Sequence, residues 1–177
     1  MASLILLMGA TGAGKSAQSD LLQSELGWKH ISSGRLLRQS SRYGKLLENG
    51  QLAPAAAVQS LVAEALENLD RTDTVILDGF PRTVEDIDWL DGFIAETGIF
   101  LRAVVLLEVD REVSLGRLQG RHRSDDTARA QKEKWRQFDS ETAPVLNRYS
   151  EQGLLVTIDA SGTIEEVHNR IKKVLNI

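Results

Sequence analysis

Eight consecutive residues near the start of the chain, Gly9-Ala10-Thr11-Gly12-Ala13-Gly14-Lys15-Ser16, carry the strongest chemical signal in the sequence. They satisfy G-x-x-x-x-G-K-[ST], in which glycines let backbone N–H groups turn inward around phosphate oxygens. Lys15 would then lie along the β and γ phosphates of a nucleotide, and the Ser16 hydroxyl would ligate Mg²⁺. The pattern follows an apolar run and precedes a helical one, and a helix N-terminus adds positive potential where phosphates sit.

Two further groups extend that chemistry. Asp78 follows the apolar run Val75-Ile76-Leu77, and Arg82 comes four residues later in Asp78-Gly79-Phe80-Pro81-Arg82-Thr83. Asp-Gly after a strand is ordinarily a turn. Downstream of a phosphate loop, an aspartate at the carboxyl end of a parallel strand can instead hold magnesium, directly or through water. The basic residues Arg117, Arg121 and Arg123, followed by Lys134 and Arg136, form the third group. Taken alone they read as a solvated charged helix. Next to a phosphate loop, with Asp125 and Asp126 available to hold or latch them, they suit a transferring phosphoryl group whose charge develops on its equatorial oxygens.

Such residues need a scaffold that brings them to one edge. Apolar stretches with strand character occur at 3–8, near 28–31, and at 74–77, 102–109 and 154–158. Helical spacing falls between them: Leu21, Leu22 and Leu26; Val58, Leu61, Val62, Ala65, Leu66 and Leu69; Ile164, Val167, Ile171 and Val174. Continuously apolar strands separated by helices predict a three-layer α/β/α fold with a five-stranded parallel sheet covered on both faces. Two stretches interrupt the rhythm, the helical segment 40–70 and the charged cluster 117–126, and both are candidates for elements that close over ligands.

Composition narrows the function classes. A chain of 177 residues with 42% hydrophobic and 26% charged content fits one globular domain, and its apolar runs are too short to cross a bilayer. A net charge of −4 argues against coating nucleic acid, which needs a broad basic surface. With no cysteine, and with His30, His122 and His168 scattered, no zinc site is expected. The opening MASLILLMGA lacks a basic n-region and reads as a strand, not a signal peptide, so the cytoplasm is the expected compartment.

The motifs Gly9 to Gln18, His30 to Arg38, Leu77 to Thr83, Arg117 to Asp126 and Glu141 to Pro144, in that order, resemble those of the adenylate kinase family of nucleoside monophosphate kinases, in its short-lid form. The resemblance covers nearly the whole chain. It implies one P-loop kinase domain, with a core at 1–31, 71–116 and 127–177, a monophosphate-binding segment at about 32–70 and a short lid at about 117–126. ATP contacts are implied for Gly9, Ala10, Thr11, Gly12, Ala13, Gly14, Lys15, Ser16, Ala17 and Arg117, the last nearer the adenine. Acceptor contacts are implied for Ser33, Arg38, Leu52, Gly79, Arg82 and Asp86, with Arg38 and Arg82 on the α-phosphate. Lys15, Arg82, Arg121, Arg123 and Lys134 would surround the transferring group, and Ser16 and Asp78 would hold Mg²⁺, Asp78 through water. The implied partners are ATP and a monophosphate, the implied state a monomer without nucleic acid or membrane, and Phe80-Pro81 resembles the family's cis bond.

Departures from the family pattern are informative. Arg35 stands where an aspartate is usual, Lys134 where an arginine is usual, and Ala55 where an aspartate often caps a helix. An ammonium lacks the two-pronged contact of a guanidinium. Asp86 replaces the glutamine that reads the adenine of AMP; an amide both donates and accepts, whereas a carboxylate only accepts. Guanine offers two adjacent donors, so GMP or another monophosphate becomes an alternative to AMP. The competing reading turns Asp86 to solvent and leaves the base to Glu85 or backbone. Beyond these stand a P-loop kinase for shikimate or gluconate, a nucleotide-binding switch, and a degenerate kinase that binds without turnover. Arg38, the 78–83 stretch and the Thr142-Ala143-Pro144 segment favour a nucleotide acceptor, and the Asn-Lys-x-Asp guanine motif of many switches does not occur.

Overall fold

The run Ser3–Met8 forms β1, followed by α1 (Lys15–Leu26), β2 (Lys29–Ser32) and α2 (Ser33–Gln39). After α3 (Ala55–Glu67) come β3 (Thr74–Asp78), α4 (Val84–Thr97), β4 (Phe100–Glu108) and α5 (Arg111–Gln119). Then α6 (Ala128–Gln137) runs through a π-helical turn (Phe138–Thr142) into α7 (Ala143–Glu151), and β5 (Leu155–Asp159) and α8 (Ile164–Leu175) complete the chain. The computed structural model describes residues 1–45, 53–119 and 128–177.

The sheet has the order β2-β3-β1-β4-β5, every neighbour parallel. This is the expected five-stranded α/β/α architecture. The strand alternation explains it: Leu4, Leu6, Met8, Leu77 and Val104 project to one face and pack with Val62 and Leu66 of α3, Ile87 and Leu90 of α4, and Val145 and Tyr149 of α7. Ile5, Leu7, Ile76, Val105 and Leu107 project to the other and meet Leu22 of α1 and Val167, Ile171 and Leu175 of α8. With both faces dry, successive strand residues are all apolar, which is why the strands read as unbroken hydrophobic runs.

Helix boundaries follow local chemistry. Thr83 and Thr163 each open a helix with a reciprocal capping box, to Asp86 and Glu166 respectively. Pro54 precedes α3 with no side-chain cap, as the replacement by Ala55 implies. β3 runs one residue further than its apolar pattern, and that residue is Asp78, in register with Leu7 of β1 and Ser32 of β2. The phosphate loop, Asp78 and the start of α2 therefore meet at the carboxyl edge of the sheet, beside the point where the chain switches from one side of β1 to the other.

Candidate active site

A cleft of about 870 Å³ opens along this edge, lined by the 9–17 loop and helix start, by Ser33, Arg38, Asp78 to Thr83 and Asp86, and by Arg117 and Lys134. The loop's shape needs its glycines: Gly9, Gly12 and Gly14 have φ of +144°, +80° and +97°. A Cβ on Gly9 would lie 2.6 Å from the Leu107 carbonyl oxygen, and one on Gly12 would lie 2.7 Å from both the carbonyl and Oγ oxygens of Ser114. Ser114, buried on α5, donates from Oγ to the Thr11 carbonyl at 2.5 Å and so clamps the loop from behind. Lys15 Nζ donates to the Gly9 and Ala10 carbonyls at 2.7 and 3.0 Å, which draws the ammonium back over the loop. Ser16 sits in the first turn of α1 and lines the cleft with Ala17.

At the cleft floor Asp78 is only 5% exposed. Burial pushes its carboxyl up, yet the imidazole of His30 with the charges of Lys15 and Arg82 outweighs that and holds it below the ordinary carboxylate range. The His30 ring is enclosed, with Nε2 3.8 Å from Asp78 Oδ2 and Nδ1 3.5 Å from Asp20 Oδ1. Arg35 approaches the same ring, Nη2 to Nδ1 at 3.4 Å. The unusual arginine after Gly34 therefore turns toward Asp20 and His30, and it does not line the cleft.

Arg82 and Arg38 add guanidinium groups to the lining. Arg82 Nε donates to the Gly79 carbonyl at 2.9 Å, and Ser33 Oγ donates to the same oxygen at 2.8 Å. Arg82 opens into the cleft; desolvation by the surrounding walls lowers its pKa against the pull of Asp78, Asp86 and Glu141, but from so high a starting value that it stays a cation. Arg38 lines the same cleft, with Nη1 3.3 Å from where a Cβ on Gly34 would stand. Arg117 donates to the Ala160 and Gly162 carbonyls at 2.8 and 2.9 Å, which fixes it beside the turn into α8. Lys134 reaches the cleft from α6, one turn before the π-helical turn that adds Phe138, Glu141 and Thr142 to the lining.

The Phe80-Pro81 bond is cis. Asp86 does not turn to solvent, being 5% exposed, whereas Glu85 is exposed. Leu52, Arg121, Arg123 and the neighbouring His122, Asp125 and Asp126 lie outside the described residues.

The family model described as adenylate kinase matches residues 7–154. The chain belongs to the adenylate kinase family. Relatives named adenylate kinase include one from Parasynechococcus marenigrum, 36% identical across 99% of this chain and 100% of its own length. Another, from Mycolicibacterium vanbaalenii, is 38% identical across 97% of this chain and 98% of its own. One from Mycobacterium tuberculosis is 37% identical across the same shares. Membership of this family makes the chain a nucleoside monophosphate kinase, a phosphotransferase.

Three structural contributors were not identified from sequence. Ser114 and His30 act from behind the loop and behind Asp78, and Gln59 Nε2 donates to Asp86 Oδ1 at 3.2 Å. Strand spacing offered a faint signal for His30, since it lies on β2 two residues before Ser32, the register partner of Asp78. Nothing in the sequence pattern marks Ser114 or Gln59, whose partners lie 103 and 27 residues away.

Proposed function

We propose that the chain catalyses reversible transfer of the γ-phosphoryl of Mg·ATP to AMP, giving two ADP, as a cytoplasmic monomer. The observation that carries this reading is that one cleft is lined both by the phosphate loop with Lys15 and by Ser33, Arg38 and Arg82. The phosphate loop suits a triphosphate and the arginine-bearing lining a monophosphate, so the two reacting groups would meet within one cleft. The relatives named adenylate kinase, matched end to end, favour AMP as the acceptor.

In this reading Gly9 to Ala17 hold the ATP phosphates, and Arg117 borders its base. Ser33, Arg38, Leu52, Gly79, Arg82 and Asp86 form the acceptor subsite, drawn from segment 32–70, the turn after β3 and the first turn of α4. Lys15, Arg82 and Lys134, joined by Arg121 and Arg123 from the lid at 117–126, neutralise charge on the transferring group. No side chain needs to take the phosphoryl covalently, because transfer rests on alignment and on stabilised charge. The Ser16 hydroxyl and the Asp78 carboxylate are hard oxygen donors suited to Mg²⁺ alongside nucleotide phosphates, where the ion would neutralise β and γ oxygens. A buried Asp78 kept ionised by His30, Lys15 and Arg82 fits that role.

A screen of purified protein with Mg·ATP against AMP, GMP, CMP and UMP, reading diphosphate formation, tests the proposal. AMP is expected to be the best acceptor. Phosphorylation of none of them, with ATP still bound, would sink the kinase reading in favour of a switch or a degenerate enzyme.

A further inference from the structure

The Asp86 carboxylate lines the cleft together with Arg38 and Arg82, and its two oxygens are unequally committed. Oδ2 accepts from the Arg82 backbone N–H at 3.0 Å and from the Thr83 backbone N–H at 3.3 Å, completing the capping box of α4. Oδ1 accepts from Gln59 Nε2 at 3.2 Å, a side chain that comes from α3. A carboxylate offers about four acceptor positions in all. Among the described residues, backbone N–H groups fill those of Oδ2 and the Gln59 amide takes one on Oδ1, which leaves a single acceptor position.

The geometry points to Gln59 as a positioning residue that sets acceptor-base specificity through Asp86. This rests on the acceptor subsite assigned above and narrows it. Two adjacent donors on guanine need both carboxylate oxygens side by side, and Oδ2 is already saturated by the helix cap. A base presenting one exocyclic amino group, as adenine does, matches the one position left. The aspartate that on sequence alone opened the door to GMP is thus held by its own helix and by Gln59 in a state suited to a single donor. Gln59 also ties α3, which contributes Ala55 and Val58 to the cleft, to the carboxylate. Base recognition and the seating of that helix are therefore linked through one hydrogen bond.

The test compares the parent protein with Gln59→Met, which keeps length and removes the N–H, and Gln59→Glu, which keeps shape and presents acceptors to Asp86. Steady-state kinetics for AMP, GMP and ATP is paired with calorimetric binding of AMP alone and with Tm. Loss of a net hydrogen-bond contribution predicts an AMP KM and Kd raised about 3- to 10-fold by Gln59→Met, and more by Gln59→Glu. The ATP KM and kcat should hold, and the GMP to AMP ratio of kcat/KM should rise by a similar factor. An AMP Kd and a GMP to AMP ratio within about two-fold of the parent in both variants would overturn the inference, two-fold being the low end expected of such a bond. So would equal rises in ATP and AMP KM with a lowered Tm, the mark of a merely structural contact. If the parent binds AMP in a Gln59-dependent way but transfers nothing to it, the kinase reading falls and the recognition role stands; if it does not bind AMP, both fall.

Discussion

Lys15 and Tyr149 show two ways in which one side chain is held, and each makes a prediction. Lys15 donates to two carbonyls of its own loop, so the backbone holds the ammonium over the loop. Lys15→Ala removes that charge from the phosphate loop and should lower kcat on the order of 10²- to 10³-fold, as loss of one donor to a developing oxyanion does. Near-normal turnover in a coupled ADP assay would refute the assignment. Tyr149 is enclosed in the core of α7, and among the described residues its hydroxyl has no hydrogen-bond partner; burial pushes its pKa well up. An unsatisfied buried hydroxyl is a cost, so Tyr149→Phe should leave stability unchanged or raise it by about 1 kcal/mol. Urea denaturation that shows clear destabilisation would mean the hydroxyl has a partner after all.

At the scale of elements, the phosphate loop is shaped as much by what lies behind it as by its own glycines. Ser114 of α5 sits against Gly12 so closely that a Cβ would meet backbone and side chain at 2.7 Å, at a φ of +80° where L residues are strained. Gly12→Ala should therefore displace the loop or α5, raising the ATP KM at least about 10-fold with smaller effects on AMP, by the sensitivity of transfer to sub-ångström placement. Adding Ser114→Gly should recover part of the loss, because it removes the Oγ but not the carbonyl. Kinetics of the single and double variants, showing additive losses, would count against that clamp. The charged cluster at 117–126, proposed above as a lid, stands out in the sequence, while the chain around Lys134 shows what patterning misses. There α6 passes into α7 through a π-helical turn, a feature with no sequence period of its own, and the extra residue brings Phe138, Glu141 and Thr142 to the cleft.

Across the whole molecule, carboxylates tied to distant or capping partners set the acid response. Glu25 of α1 is lowered by a hydrogen bond from Lys172 and by His168, both on α8. Asp73 is lowered by Lys29, Asp159 by Ser161 and Glu166 by the Thr163 cap. Each has a folded pKa below its unfolded one, so its stabilising contribution is present above the ordinary carboxylate range and is lost as pH falls through the lowered values. Asp91, raised first by burial, opposes the trend. Tm should be flat near neutrality and fall below about pH 4.5, and Glu25→Gln should flatten that slope by removing one of the linked groups. An unchanged slope in Glu25→Gln would place the acid sensitivity elsewhere.

The sequence by itself determined the architecture and half of the chemistry. Unbroken apolar strands, helical spacing and a phosphate loop are local patterns, and local backbone preferences with hydrophobic periodicity are enough to specify them. Asp78 and Arg82 stood out as candidates because each lies within a few residues of the end of β3, at the edge where a parallel sheet collects ligands, and Arg38 stood out through the family resemblance. The tertiary structure alone decided which side chains stand behind these. Ser114 against Gly12, His30 against Asp78 and Gln59 against Asp86 are contacts between separate elements, fixed by how helices seat on the sheet and invisible to any period along the chain. For Asp86 the difference bears on the base recognition proposed above. Its residue type suggested a carboxylate ready to accept two donors, and packing spent three of its acceptor positions on the helix cap and Gln59.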